Sequence, residues 1–229
     1  MEISVVYKRA FIRQVFDCLT PAICFLCHCR VPEQSILCAG CRADLPGTSN
    51  AFGHAGTDAV AGPMLIDQTI TACRYEFPIK ELIHQLKYGR KVIVAKELGQ
   101  LLASNIMKVS ATLPDCILPV PLHRIRYLNR GFNQALEISR AASKMLGLPI
   151  ETDLISRTRR TLPQFALAPS ERKRNLRGAF RLNSVPAYDH IAVLDDVITS
   201  GATISAIASL LKKAGVRRVD AWVCARAER

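Results

Sequence analysis

The stretch IAVLDDVITSGATISAIASLLKKAG, residues 191–215, holds one strand, one turn and one helix in that order, and its reading decides the fold. Ile191, Ala192, Val193 and Leu194 form an unbroken apolar run, the pattern of a parallel strand buried on both faces. Asp195 and Asp196 end that run. A turn rich in hydroxyls and carrying one glycine follows, and then a helical period through Ile204, Ile207, Leu211 and Ala214 that stops at Gly215. A turn entering a helix presents backbone N–H groups without intrahelical partners, and the helix dipole adds partial positive charge, so phosphate is the expected ligand. Thr199, Ser200 and Thr203 add hydroxyls, and Gly201, followed by Ala202, lets the backbone come close. Two carboxylates beside a phosphate make sense when the ligand also carries a diol or a bound magnesium ion. A diol near a phosphate describes ribose 5-phosphate. The plainer reading is a strand end followed by a helix capped by Thr199 or Ser200.

With 229 residues, 49% of them hydrophobic, the chain has enough apolar surface for a full domain with a small appendage. No run approaches the roughly 18 apolar residues of a membrane span. The amino terminus mixes charges, a proline and cysteines into its apolar stretch and makes a poor secretory signal, so a cytoplasmic protein is expected. The net charge of +12 is concentrated: residues 118–182 hold eleven arginines and two lysines against four acids. Such a segment implies a polyanionic ligand or nucleic acid, with a solvated surface as the plainer alternative. Aromatic residues are only 6% of the chain, which leaves few platforms for base stacking.

Five of the nine cysteines lie in CFLCHCRVPEQSILCAGC. Cys24 and Cys27 form one Cys-x2-Cys knuckle, Cys38 and Cys41 a second, and four thiolates so spaced can converge tetrahedrally on one zinc ion. A closed four-cysteine site is structural rather than catalytic, and metal binding would supply the folding free energy that this short segment lacks. His28 or Cys29, next to a ligand, can take the place of one. Cys18, Cys73, Cys116 and Cys224 read as small buried hydrophobes. Residues 46–69, rich in glycine, read as a linker between a zinc module over 1–45 and a main domain over 70–229.

Within that domain a strand is expected from Thr69 to Phe77, then an amphipathic turn through Leu82, Ile83 and Leu86, then a helix with Ala95, Leu98, Leu102 and Ile106 inside. Asp115–Val120 is a second buried strand, and Pro119 and Pro121 force the chain out of it. His123, Arg124, Arg126 and Arg130 follow as a cationic loop, with Gly131 opening a helix lined by Ala135, Ile138, Ala142 and Met145. Lys87, Tyr88, Arg90 and Lys91 either border a phosphate site or form a solvated face. Asn133 and Gln134 either position a ligand or face water. A third strand is expected over 148–156, a long arginine-rich loop after it, and a last strand over Val219–Ala225. The fold class is α/β, a mainly parallel sheet with helices on both faces and a ligand crevice beyond the carboxyl ends of its strands.

VLDDVITSGAT resembles the phosphoribosyl-diphosphate motif of type I phosphoribosyltransferases. Together with the cysteines and the segments CRYEF, LIHQLKYGRK, PVPLHR and NRGFNQA, it makes the chain similar, from about Cys24 onward, to the ComF family of competence and DNA-utilisation proteins. That resemblance implies a type I phosphoribosyltransferase-like domain binding 5-phosphoribosyl 1-diphosphate with Mg2+, beside a structural Zn2+. Asp195 and Asp196 would hold the ribose 2- and 3-hydroxyls, and Thr199, Ser200, Gly201, Ala202 and Thr203 the 5-phosphate. The PVP turn with His123, Arg124, Arg126 and Arg130 corresponds to the pyrophosphate loop, Lys87 borders it, and Gln164, Arg172, Asn175 and Arg177 belong to a closing loop. Two roles follow from the resemblance. One is a factor acting on or alongside incoming single-stranded DNA in natural transformation, with a helicase or recombination partner; the other is an active transferase using an amine or base acceptor.

Overall fold

A computed structural model describes residues 22–32, 35–47, 65–159 and 178–227. They fall into two compact units, one ending at Leu45 and one beginning at Pro46.

The first unit is small and held by cysteines. Its chain reverses between Ile23 and Arg30, which form an antiparallel bridge. The Cys24 N–H donates to Cys29 O at 2.7 Å and the His28 N–H to Cys24 O at 2.9 Å, with His28 in the left-handed region at φ 62°. A five-residue helix, α1 (Ala39–Ala43), starts at Cys38, which caps it through sulfur. No residue of α1 is buried, so apolar packing contributes little to holding it.

The second unit is built on a four-stranded sheet in which every pairing is parallel. In chain order its elements are β1 (Gln68–Arg74), α2 (Ile79–Lys87), α3 (Ile93–Val109), β2 (Cys116–Pro119), α4 (Arg124–Arg130), α5 (Gln134–Leu146), β3 (Ile155–Arg157), β4 (Phe180–Leu182), β5 (His190–Ile198), α6 (Ala202–Lys213) and β6 (Arg218–Arg226). The sheet order is β1-β6-β5-β2, and β3 pairs antiparallel with β4 in a separate two-stranded sheet. Burial explains the central strands: Ile191–Leu194 and Val219–Ala225 are wholly inaccessible, because β5 and β6 carry neighbours on both edges and layers on both faces.

Chain direction across this sheet locates the crevice. From β1 to β2 the chain steps one way, and a parallel bridge from Ile117 to Ile150 continues outward in that sense. From β5 to β6 it steps the other way. With right-handed crossovers the reversal puts α3 and α5 on one face and α6 on the other, and the loops after β2 and β5 diverge. A switch point of that kind opens a cleft at the carboxyl ends of the two strands. α3 and α5 pack so closely that a Cβ on Gly99 would lie 2.5 Å from Ile138 O.

The parallel α/β architecture agrees with the sequence reading, and several details depart from it. Gly131 does not open a helix; it closes one, in the left-handed conformation at φ 87°, and the segment read as a loop is the helix α4. The third strand joins the main sheet only through the bridge at Ile150, and its regular part, β3, pairs with β4 instead. Cys73, Cys116 and Cys224 are buried, as expected; Cys18 lies outside the described residues. No helix among the described residues is long and apolar enough to cross a membrane.

Candidate functional site

The crevice floor is the end of β5. Pro119 lies in register with Leu194, and the Val120 N–H donates to Leu194 O at 2.9 Å, which brings the turn after β2 beside Asp195 and Asp196. Asp196 is 3% exposed and Asp195 half-buried. Lys87, at the last turn of α2, reaches over and forms an ion pair with Asp196 Oδ2. Burial and the charge of Asp196 push the Asp195 carboxyl well above the usual carboxylate range. Burial also works against ionisation of Asp196, but Lys87, a hydrogen bond from Asp195 and the charge of Arg130 outweigh it and hold its pKa low. Of the two, Asp195 is therefore the more readily protonated and Asp196 the more readily ionised. Desolvation likewise disfavours the Lys87 ammonium, yet Asp196, then Asp195, keep it charged.

The turn after β5 fits an oxyanion. Gly201 is the N-cap of α6 at φ 68°, a conformation that costs other residues a steric penalty, and no side chain caps the helix. A helix start without a side-chain cap, with its dipole aimed at the turn, suits an external oxyanion. Neither Thr199 nor Ser200 is the cap, so the plainer reading of this turn does not apply. Ser200 Oγ is buried and has no hydrogen-bond partner among the described residues. Thr199 is exposed, and Ala202 and Thr203 are half-buried at the helix start.

The cationic segment after β2 is fastened at both ends. His123 caps α4, its Nδ1 accepting from the Ile125 N–H at 3.3 Å. Asn133 caps α5 by accepting from the Ala135 N–H, and its Nδ2 donates to Val120 O at 3.1 Å, which ties the helix start to the turn. Arg130 donates to the largely buried Gln134, lies 5.9 Å over the Tyr88 ring, and stabilises the Asp196 charge. The structure thus brings Lys87, Arg130, Asp195 and Asp196 together. Arg124 is exposed, His123 serves the backbone, and Arg126 is half-buried. Arg172, with Gln164, Asn175 and Arg177, lies outside the described residues.

Sequence reasoning missed Arg157. It sits on β3, 5.3 Å over the Phe180 ring, and its electrostatic neighbours are Arg126 and Asp195. Desolvation, with repulsion from Arg126, lowers its pKa to about 10. The available signal was its place at the head of the run Arg157-Thr158-Arg159-Arg160, one residue after the apolar pair Leu154 and Ile155.

In the first unit, the sulfur atoms of Cys24, Cys27, Cys29 and Cys38 all lie within 4.8 Å of one another. Cys27 Sγ is 3.4 Å from Cys29 Sγ and 3.6 Å from Cys38 Sγ. Four thiolates at about 2.3 Å around a tetrahedral metal sit roughly 3.8 Å apart, so this donor set fits a zinc ion. Cys41 lies against the same group, since its thiol pKa is raised by Cys27, Cys38 and Cys24 and its N–H donates to Cys38 Sγ at 3.3 Å. The four sulfurs that lie mutually within 4.8 Å thus include Cys29 where the knuckle spacing had pointed to Cys41, which stands beside the group. Although burial opposes it, backbone N–H groups of Cys27, Cys38 and Leu26 lower the Cys24 pKa to about 6. Hydrogen bonding to Cys27 pushes Cys29 up to about 12.

No protein-family model matches the chain. The chain is 34% identical over 208 residues to the DNA utilization protein YhgH of Escherichia coli K12, covering 89% of this chain and 90% of that one. It is 32% identical over 221 residues to Competence protein F of Haemophilus influenzae, covering 87% and 96%. Competence protein ComFC of Streptococcus pneumoniae is 26% identical over 152 residues, 66% of this chain and 65% of that one. Among solved structures, glutamine phosphoribosylpyrophosphate amidotransferase of Bacillus subtilis aligns with a TM-score of 0.38 and 22% identity, over 56% of this chain and 25% of that one. TT1426 of Thermus thermophilus aligns with a TM-score of 0.33 and 17% identity, over 56% and 72%.

Proposed function

The chain belongs to the ComF family of competence and DNA-utilisation proteins, and from that premise we propose that the crevice after β2 and β5 binds 5-phosphoribosyl 1-diphosphate or a close ribosyl phosphate, in a protein that works alongside incoming single-stranded DNA. The observation that carries this reading is the meeting, within one turn of chain, of a carboxylate pair with an uncapped helix start and an unpartnered buried hydroxyl. Carboxylates suit a diol or a cation, and the amides of a helix start with a hydroxyl suit a phosphate; a pentose phosphate presents both.

In this reading Asp195 and Asp196 accept from the ribose hydroxyls, while the amides from Thr199 to Thr203 and the Ser200 hydroxyl donate to the 5-phosphate. Arg126, Arg130 and Arg157 face the diphosphate through charge-assisted bonds. Asp196 would also hold Mg2+, which when bound neutralises charge on the diphosphate. Lys87 keeps Asp196 compensated before the ligand arrives. A second reading, transfer of the phosphoribosyl group with loss of pyrophosphate, is favoured by the raised pKa of Asp195, since a carboxyl lifted toward neutrality can exchange a proton with an incoming nitrogen.

Calorimetry on the full, zinc-loaded chain with phosphoribosyl diphosphate, ribose 5-phosphate and pyrophosphate, each with Mg2+, tests the site. Heat with the first two that disappears in Asp196→Asn supports it, and no heat with any of them overturns it. Pyrophosphate release across amine and base acceptors decides between binding and transfer. For the first unit we propose one structural zinc held by Cys24, Cys27 and Cys38 with Cys41 or Cys29. Metal analysis should give one ion per chain, lost in Cys38→Ser; full metal content in that variant would exclude the assignment.

A further inference from the structure

Lys87 is the last residue of α2, and its ammonium lies on the more buried of the two crevice carboxylates. The lysine side chain is 23% exposed and that of Asp196 5%, so the ammonium stands between a buried acid and open water. Around the pair are Arg130, whose charge reaches Asp196, and Arg157, whose electrostatic neighbours are Arg126 and Asp195. Lys87, Arg126, Arg130 and Arg157 thus face only Asp195 and Asp196, and residues 82–93, 119–136 and 197–215, the segments that close the crevice, contain no further acid. This pairing differs in kind from that of Asp220, which the guanidinium fork of Arg218 grips through both carboxylate oxygens. An ammonium on a four-carbon stem is a point charge that can leave one oxygen for another without disturbing the backbone. The backbone beside it is held: Arg90, at φ 53°, donates to Asn129 O at 2.9 Å and ties the turn after α2 to α4.

We propose that Lys87 is a tethered cation which, in the unliganded protein, occupies the place a free divalent ion would take on Asp196, and which moves onto the ligand's diphosphate when that ligand arrives. The inference rests on the reading of the crevice as a ribosyl diphosphate site. A bare divalent ion would have to displace an ammonium from a buried oxygen against the repulsion of three guanidinium groups. A diphosphate brings several negative charges of its own, gives Lys87 a new partner, and leaves Asp196 open to a hydroxyl or a metal. The lysine therefore keeps the acids from collecting metal ions unaided and makes their release depend on the anion. A lysine that merely fastened α2 to β5 would weaken folding when removed and leave metal affinity as it was.

The test is binding of Mn2+, read from the electron paramagnetic resonance signal of the free ion, to the full zinc-loaded chain with no sugar phosphate present. Lys87→Met should bind Mn2+ at least about tenfold more tightly than the native chain. Lys87→Arg, which keeps the charge, should bind it as poorly as the native chain does. The ion gained should be lost again in Lys87→Met/Asp196→Asn. In calorimetry with Mg2+, Lys87→Met should bind phosphoribosyl diphosphate about tenfold more weakly, while ribose 5-phosphate, which has no diphosphate, should bind at least as tightly as before. Lys87→Gln, which can still donate to Asp196, serves the same measurements if Lys87→Met does not fold. Unchanged Mn2+ affinity in the neutral variants, a gained ion that survives Asp196→Asn, or undiminished affinity for phosphoribosyl diphosphate would each overturn the inference. The metal measurement uses no sugar phosphate, so the two readings fail separately: capture of Mn2+ by the neutral variants of a chain that binds no ribosyl phosphate overturns the crevice's ligand and upholds the lysine as its resident cation.

Discussion

The two ends of the parallel sheet treat their acids differently. At the amino ends of the strands, Asp220 is fully buried yet held by His190 at 2.8 Å and by the Arg218 guanidinium at 3.0 Å, and Arg218 also donates to Gln68. Asp115 accepts the N–H groups of Asp189 and His190, and Asp67 accepts from the Val219 N–H and pairs with Lys212. At the carboxyl ends, Lys87 pairs with Asp196, and burial together with that neighbouring charge pushes the adjacent Asp195 well above the usual carboxylate range. A buried acid with a complete set of partners holds the fold together. One left short of partners has capacity for a ligand.

Neutralising substitutions at the two ends should therefore fail in different ways. Asp220→Asn removes the shared partner of Arg218 and His190 and should cost about 3 kcal/mol of stability in chemical denaturation, with ligand affinity unchanged in the fraction that folds. Asp196→Asn should weaken magnesium-loaded phosphoribosyl diphosphate by about a hundredfold, or roughly 2.7 kcal/mol, while the melting temperature falls less than in Asp220→Asn. If Asp196→Asn instead unfolds the protein and Asp220→Asn abolishes binding, the contrast between the ends is wrong. Lys87→Met leaves Asp196 uncompensated, and because the lysine is partly exposed the loss should be about 1 to 2 kcal/mol. Added Mg2+ should restore part of it if the carboxylates accept a cation.

The same contrast also predicts a pH dependence. Asp195 has a raised folded-state pKa, so the folded chain retains a proton that the unfolded chain releases. Its contribution makes stability fall as pH rises from about 4 through that raised value. Asp196, with a lowered pKa, contributes stability that is lost as pH falls below about 4. A diol-binding Asp195 must give up its proton, so ligand affinity should climb with pH by at most about tenfold per unit until the raised pKa is passed. Calorimetry from about pH 5 to 8 should show the climb in the native chain and a flat profile in Asp195→Asn.

Residues 191–215 were legible because one run holds a fully buried strand, a positive-φ glycine and an amphipathic helix, each written in local chemistry. Helix α4 was not, because residues 124–130 bury nothing and so show no apolar period; only the Gly131 stop was there to be read. The pairing of Ile155–Arg157 with Phe180–Leu182 joins segments separated along the chain by a long arginine-rich stretch, and no local pattern encodes that distance. Arg157 was hidden for the same reason, since its neighbours Arg126 and Asp195 come from other strands and helices. The knuckle spacing identified the metal-binding segment but not the crowding of a fifth thiol, because Cys29 reaches the cluster through the turn at His28.

Trp222 is the chain's sole tryptophan, fully buried on β6 and in register with Leu194, one residue before the acid pair. Its indole Nε1 has no hydrogen-bond partner among the described residues. The molecule consequently carries its own optical probe: a buried indole one rung of the ladder from the crevice floor, whose emission should report on that strand end without any added dye.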